Sequence, residues 1–324
     1  MMLKIAIAGT GWFADKHASL LAAREDAQVV AFLGSSLPKA EKIAQKFAGA
    51  QAFDEIEQML DTVKPDAVYI SVPPMAHGRI EDAIVERNIP FLIEKPIGLD
   101  METVNRIQDQ VTTRNIITSV GYHIRYTDTV QKAKELLETR KVGMAVGSWL
   151  GDMPGVHWWR KQSGSGGQFI EQTTHIVDLV RYLVGEVEEV YAVYAQQHMH
   201  TKHDGVDVAD VGAVTLKLAG GAVASITNTC MLPFGHRSGL ELFTDKGVLE
   251  IQQSRYLKNH EGSQTTEYKN LLNPYEIETD AFLHAIKTGD RSRILTDYAD
   301  AAVTLRITLA ALESSRSGMP VKLR

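Results

Sequence analysis

The chain opens on Leu3-Lys4-Ile5-Ala6-Ile7-Ala8-Gly9-Thr10-Gly11-Trp12-Phe13-Ala14, a short apolar run leading straight into Gly-x-Gly-x-x-Ala. Few segments constrain a fold as tightly. A buried strand must feed a sharp turn, and the turn must open a helix. Gly9 makes the turn, Gly11 lets the backbone approach a pyrophosphate, and Ala14 keeps the helix near the sheet. The helix N-terminus then offers its unbonded N–H groups to the anion. A glycine fingerprint alone is a weak signal. Its place after a strand and before a helical pattern favours dinucleotide binding over a bland strand–turn–helix.

The residues that follow alternate strands and helices. Strand patterns cover 3–8, 28–33, 67–72, 90–93 and 116–121. Helical patterns cover 14–23, 38–47, 77–87 and 101–113. Such alternation implies right-handed crossovers and a parallel sheet. Beyond a helix at 127–139 the grammar changes. β-rich segments run over 144–150, 187–197, 208–218, 222–231, 240–244 and 248–252, with Gly220-Gly221 as a hairpin turn, before two helices at 275–288 and 297–316. The expected fold class is therefore α/β. It comprises an N-terminal doubly wound Rossmann domain (1–121) and a C-terminal α+β domain (122–324) with a large, open, mostly antiparallel sheet. The last helix is free to pack back on the first domain. An open sheet face needs a cover, and a homodimer or homotetramer is the expected one.

Composition limits the partners. The 324 residues suffice for two cores, and 44% hydrophobic with 23% charged residues is ordinary for a soluble globular chain. A formal net charge of -6 supplies no broad basic surface, so neither nucleic acid nor an anionic membrane is an expected partner. No apolar run approaches the ~20 residues of a membrane span. Residues 5–8 read as a core strand and not as a signal peptide, so the cytoplasm is the expected location. The single cysteine, Cys230, excludes an internal disulfide and any multi-cysteine metal site, and reads as a small buried hydrophobe.

NAD-binding chains place an acidic residue at the end of the second strand, against the ribose 2′-hydroxyl. Here that region is Leu33-Gly34-Ser35-Ser36-Leu37-Pro38-Lys39, without a carboxylate. Ser35 and Ser36 can donate to a 2′-phosphate and Lys39 is a nearby cation, so NADP is favoured over NAD. A helix N-cap before Pro38 is the competing reading of the serines.

Two motifs carry chemistry. Glu94-Lys95-Pro96 follows a strand directly, and ligands in an open α/β sheet bind beyond the carboxyl ends of strands. The Lys95 ammonium can hold a substrate oxygen and stabilise alkoxide charge. The alternative is a Glu94–Lys95 surface pair of little worth. The second motif runs from Gly166-Gly167 to Asp178. Its pattern predicts a helix from Phe169 onward, with Phe169, Ile176, Val180 and Leu183 as the apolar stripe and Glu171, His175 and Asp178 on the opposite face. A carboxylate four residues before a histidine can orient the imidazole as a general base, the alternative being a solvated helix face with an incidental histidine. Asp178 is also a candidate substrate contact, as are Tyr122 and Arg125, where the domains meet, and Trp158 and Arg160, before the glycine turn. Packing is the alternative for each. His198-x-His200-x-x-His203 has a metal-like spacing, but Lys202 opposes it and no metal is expected.

Taken together, Gly9-x-Gly11-x-x-Ala14, Pro73-Pro74-x-x-His77, Glu94-Lys95-Pro96 and Gly166-Gly167-x-x-x-Glu171-x-x-x-His175-x-x-Asp178 resemble the Gfo/Idh/MocA oxidoreductases in order and spacing, over nearly the whole chain. The resemblance implies a nicotinamide-dependent oxidoreductase acting on a sugar, polyol or related hydroxy or keto compound. It implies that Trp12, Phe13, Pro73, His77 and Glu94 lie along the cofactor. Lys95 matches the family's catalytic lysine and His175 its catalytic histidine. Glu171 stands where the family has aspartate and Thr173 where it has glycine. Oriented by Glu171 or Asp178, His175 would take the hydroxyl proton while Lys95 holds the oxygen. An NAD-dependent glycoside hydrolase and a non-catalytic cofactor sensor are the competing functions.

Overall fold

The computed structural model describes residues 2–253 and 255–323. The chain divides into two units, one of residues 1–121 with 275–302, the other of residues 122–274 with 303–324.

The first unit begins β1 (Leu3–Ala8), α1 (Trp12–Ala22), β2 (Ala27–Leu33), α2 (Leu37–Ala44), β3 (Gln51–Phe53), α3 (Ile56–Val63) and β4 (Ala67–Ile70). It continues with α4 (Arg79–Glu86), β5 (Phe91–Ile93), α5 (Met101–Thr113) and β6 (Thr118–Val120). The strands form one parallel sheet in the order β3-β2-β1-β4-β5-β6. The order reverses between β1 and β4, which is the switch point beyond whose carboxyl ends a dinucleotide binds in such sheets. β1, β4 and β5 are buried almost throughout, as parallel strands covered on both faces must be. β3 and α3 lie in a stretch for which the sequence pattern predicted no element.

The second unit carries α6 (Asp128–Leu137), β7 (Val142–Leu150), α7 (Gln162–Ser165), α8 (Gln168–Glu171), α9 (Thr174–Leu183), β8 (Val187–Ala195) and α10 (Met199–Lys202). Then come β9 (Val211–Leu218), β10 (Val223–Thr229), β11 (Arg237–Thr244), β12 (Gly247–Gln252), β13 (Tyr256–Glu261) and β14 (Gln264–Lys269). After α11 (Pro274–Thr288) and α12 (Tyr298–Ser317), the short β15 (Val321–Lys322) closes the chain. Nine strands pair in the order β14-β13-β12-β11-β7-β10-β9-β8-β15. The sheet is antiparallel except where β10 runs parallel to β7. β9 and β10 form the expected hairpin, with Gly221 at φ +85°. One sheet face packs on α9, whose Ile176, Val177 and Val180 join Ala145, Ile226 and Leu240 in the core. Strand alternation sends Met144, Val146, Tyr191, Val193 and Val223 to the other face, where they are exposed.

Candidate active site

The first unit holds the dinucleotide turn. Gly9 has φ +131°, and a Cβ there would lie 2.2 Å from the backbone oxygen of Ser71, so no other residue fits. Gly11 is the N-cap of α1, with open space where its side chain would be. That opening over a helix N-terminus fits a pyrophosphate. Ala14 is fully buried. Trp12 is exposed and meets the half-buried Phe13 edge-on at 4.8 Å. Beyond β2, Ser35 Oγ accepts a hydrogen bond from Lys39 Nζ at 3.0 Å. Ser36 is the N-cap of α2 by backbone position, but its side chain makes no capping bond.

Lys95 leaves the carboxyl end of β5, half-buried, and is joined to Pro96 by a cis peptide bond. Its neighbour is no surface group. Glu94 is buried, and its Oε1 lies 2.8 Å from His17 Nε2 on α1. The reading of Glu94–Lys95 as a surface pair is therefore corrected: the carboxylate ties the end of β5 to the helix that follows the glycine turn. Pro73 is half-buried beside a single 3-10 turn (Pro74–Ala76), and His77 Nδ1 lies 2.5 Å from Glu81 Oε1. Glu81 also accepts the backbone N–H of Gly78 at 2.6 Å, so His77 is anchored to the start of α4.

Two groups in this unit escaped the sequence reading. His17 is one. Glu278 on α11 is the other: it is fully buried, and neither carboxylate oxygen has a hydrogen-bond partner among the described residues. Burial, with the charge of Glu94, holds its carboxyl well above the usual range. Lys16 is half-buried 3.1 Å above the Tyr275 ring, its ammonium pushed below its ordinary value by burial against the opposing pull of Glu94 and Glu278. The available signal was Glu278 standing in the stripe of Ala281, Phe282 and Ala285, where a solvated helix would not place a carboxylate.

In the second unit, Gly166 (φ +74°) and Gly167 (φ +89°) make a left-handed turn that no pair of larger residues would adopt freely. The expected single helix from Phe169 is broken. α8 ends at Glu171, Thr173 N–H donates to Gln168 O at 2.9 Å, and α9 starts at Thr174. Glu171 thus stands on a separate helical turn from His175 and Asp178. Its Oε2 accepts the indole N–H of Trp159 at 2.7 Å. Asp178 is gripped at both oxygens by Arg125, at 2.7 and 2.8 Å, with both side chains buried. Thr304 Oγ1 lies 3.3 Å from the same carboxylate. This bidentate pair engages two residues that the sequence offered as substrate contacts.

His175 is 4% exposed. Its ring is stacked on Trp149, with centroids 5.8 Å apart and planes 18° from parallel. The rings of His123 (5.0 Å) and Tyr122 (5.7 Å) lie nearly perpendicular to it, at 76° and 86°. Tyr122 is itself buried, its hydroxyl 2.8 Å from Thr174 Oγ1. Trp158 and Arg160 are half-buried on a 3-10 turn, while Trp159 is the fully buried member of that segment.

His198, His200 and His203 flank or occupy α10, whose start is fixed by Asp210. That carboxylate accepts the backbone N–H groups of Gln197, His198 and Met199 at 2.7–2.8 Å. Among the described residues no cluster of three or more His, Cys, Asp or Glu side chains could hold a metal ion. Cys230 is buried beside Met199 and Val208, and burial pushes its thiol up to about 12. No described helix is long and apolar enough to cross a membrane.

The family description "Oxidoreductase family, NAD-binding Rossmann fold" matches residues 3–122, and the "GFO/IDH/MocA C-terminal domain" matches residues 130–250. The chain belongs to the Gfo/Idh/MocA oxidoreductase family. It is 24% identical to the myo-inositol 2-dehydrogenase of Thermotoga maritima, covering 99% of this chain and 98% of that one. It is 24% identical to the scyllo-inositol 2-dehydrogenase (NAD(+)) of Bacillus subtilis, covering 99% and 96%. A levoglucosan dehydrogenase structure in complex with NADH matches over 100% of both chains, with a TM-score of 0.90 at 21% identity. The chain is accordingly an oxidoreductase whose first unit is an NAD-binding Rossmann fold.

Proposed function

We propose that this oxidoreductase interconverts a secondary alcohol and a ketone on a cyclitol, sugar or other polyol, with Lys95 and His175 as its catalytic residues. The supporting observation is that Lys95 emerges from the carboxyl end of β5 in the same sheet whose β1–α1 turn carries Gly9, Gly11 and Ala14. The full-length relatives named for inositol oxidation support the substrate class.

Gly9, Gly11, Ala14 and the N-terminus of α1 would hold the pyrophosphate, and Trp12, Phe13, Pro73, His77 and Glu94 would lie along the dinucleotide. The bound nicotinamide supplies the hydride acceptor or donor. In the oxidative direction His175 accepts the hydroxyl proton as general base, and in the reductive direction it returns it. The Lys95 ammonium donates a hydrogen bond to the reacting oxygen and offsets its negative charge. Tyr122, Trp158 and Arg160 are the proposed substrate contacts, while Glu171 holds the neighbouring Trp159 and Asp178 and Arg125 hold each other. NADP is the proposed cofactor, because Ser35 and Lys39 already stand together beyond β2 and no carboxylate opposes a 2′-phosphate. A second copy of this chain is the proposed cover for the exposed Met144, Val146, Tyr191, Val193 and Val223. A monomer mass in light scattering at micromolar concentration would dismiss it.

The test begins with titration of NADPH and NADH, followed by nicotinamide fluorescence. Tighter binding of NADPH is expected, and equal binding removes the NADP preference. Oxidation of myo-inositol, scyllo-inositol, levoglucosan and simple glucosides is then assayed by nicotinamide absorbance. With the active compound, His175→Ala should lose about 10²–10⁴-fold in kcat while cofactor still binds. An unchanged kcat would remove His175 from the mechanism.

A further inference from the structure

His175 and Trp149 come from different elements, and a glycine is what brings them together. Gly147 and Trp149 are two residues apart on β7 and so share one sheet face. A Cβ at Gly147 would lie 2.4 Å from Ile176 Cγ2, so only glycine lets α9 settle at this distance from the strand. With Ile176 seated over Gly147, the preceding residue falls over Trp149. The resulting stack of indole on imidazole, at 5.8 Å and 18°, is offset-parallel, an arrangement aromatic pairs favour. His123 and Tyr122 come from the 3-10 turn at 123–126 and its N-cap, and their rings lie nearly perpendicular to the imidazole.

We propose that Trp149 is a positioning residue for proton transfer at His175: its indole face fixes the plane of the imidazole and hence the direction of the nitrogen that meets the substrate hydroxyl. The inference rests on the reading of His175 as the base. Trp149 reacts with nothing itself. A base whose ring can tilt delivers its nitrogen to the wrong place, and a displacement of about 1 Å at a reacting group costs on the order of 10²-fold in rate. The indole face also accepts the positive charge that the imidazole gains with the proton.

The experiment combines kinetics with histidine NMR on the full-length protein. Trp149→Leu should lower kcat about 10- to 100-fold, with substrate KM and cofactor Kd within about twofold of wild type. Trp149→Phe, which keeps a ring face, should recover most of the rate. In a His175→Ala background Trp149→Leu should add no further loss, because the tryptophan acts only through the histidine. Equal losses in both backgrounds, or a Trp149→Leu kcat within twofold of wild type, overturn the proposal. If His175→Ala retains full kcat, it is the assignment of the base that fails. A readout free of turnover uses the wild-type protein, with His175→Gln serving only to assign signals. The imidazole carbon-bound protons absent from the His175→Gln spectrum should show nuclear Overhauser contacts to the Trp149 indole protons in the wild type. Absence of such contacts means that there is no stack, and the proposal falls.

Discussion

Removing the carboxylate of Asp178 should destabilise the second unit far more than it weakens substrate binding. The Arg125 guanidinium donates two parallel bonds to Asp178, at 2.8 and 2.7 Å, and the two side chains are only 4% and 2% exposed. The Tyr182 ring lies 4.7 Å from the guanidinium carbon and Thr304 reaches the same carboxylate, so little space remains for water. An exposed pair of this type is worth about 0–1 kcal/mol. Deleting one partner of a buried pair costs about 3–5 kcal/mol, because the remaining charge keeps its desolvation penalty and loses its compensation. Asp178→Ala should therefore lower the unfolding free energy in urea by about 3–5 kcal/mol, and Tm by roughly 6–20 °C at about 2–4 °C per kcal/mol. The joint replacement Arg125→Leu with Asp178→Leu should recover much of that loss, since no buried charge is stranded. Urea unfolding followed by circular dichroism, with KM measured in parallel, decides the matter. A stability loss under about 1 kcal/mol with a tenfold rise in KM would refute the reasoning, and would return both residues to direct contact with substrate.

Gly9→Ala should abolish measurable dinucleotide binding and lower Tm, because its methyl would stand 2.2 Å from Ser71 O at a φ of +131°; wild-type affinity by nicotinamide fluorescence would contradict this. Burial pushes the Asp210 carboxyl up, but the amides of Met199, His198 and Gln197 outweigh it and hold it below its ordinary 3.8. A depressed carboxylate stabilises the fold above its unfolded value and loses that contribution as pH falls. The stability gap between wild type and Asp210→Asn should thus be full at pH 5–7 and shrink below about pH 4. A gap independent of pH would show that charge is not involved. Cys230 should resist thiol reagents at pH 8 in the native protein and react only on unfolding, as its burial and a thiol value of about 12 require. Rapid labelling under native conditions would contradict that.

Much of this architecture was legible in the sequence, and the exceptions have physical causes. β1, β2, β4 and β5 are apolar runs between glycine, proline or polar breaks, so burial on both faces is written into them. β13 and β14, YLKNHE and QTTEYK, are mostly polar and show no clear apolar alternation; β14 is largely exposed, β13 buries only Leu257 and Asn259, and both extend the sheet outward from β12. β3 is three residues long, too short for any periodicity. The parallel pairing of β10 with β7 depends on a crossover that local pattern does not record. Gly9, Lys95 and His175 were singled out as candidates by motif and spacing. The break between α8 and α9 was not, because tertiary bonds impose it. Gln168 donates to Thr229 O at 2.9 Å and accepts from Asn228 at 2.8 Å, which pins α8 to β10. That displaces Glu171 from the helix it was expected to share with His175. Trp149 carried no local signature, since its meaning lies in what another element brings to it, while Glu278 showed only in its place within the apolar stripe of α11.

The first unit is discontinuous in sequence, and this bears on how the protein is born. Phe282 and Leu283 of α11 stand in one apolar cluster with Leu21, Tyr69 and Leu92. Val120 N–H donates to Thr296 O, and Tyr298 meets Phe91 edge-on. A ribosome releasing the first 121 residues therefore delivers a sheet whose core lacks the side chains that complete it. For the time needed to synthesise some 180 further residues, the nucleotide-binding half must wait with its apolar surface open. Chaperone demand and truncation sensitivity should therefore track residues 275–302 and not residue 121.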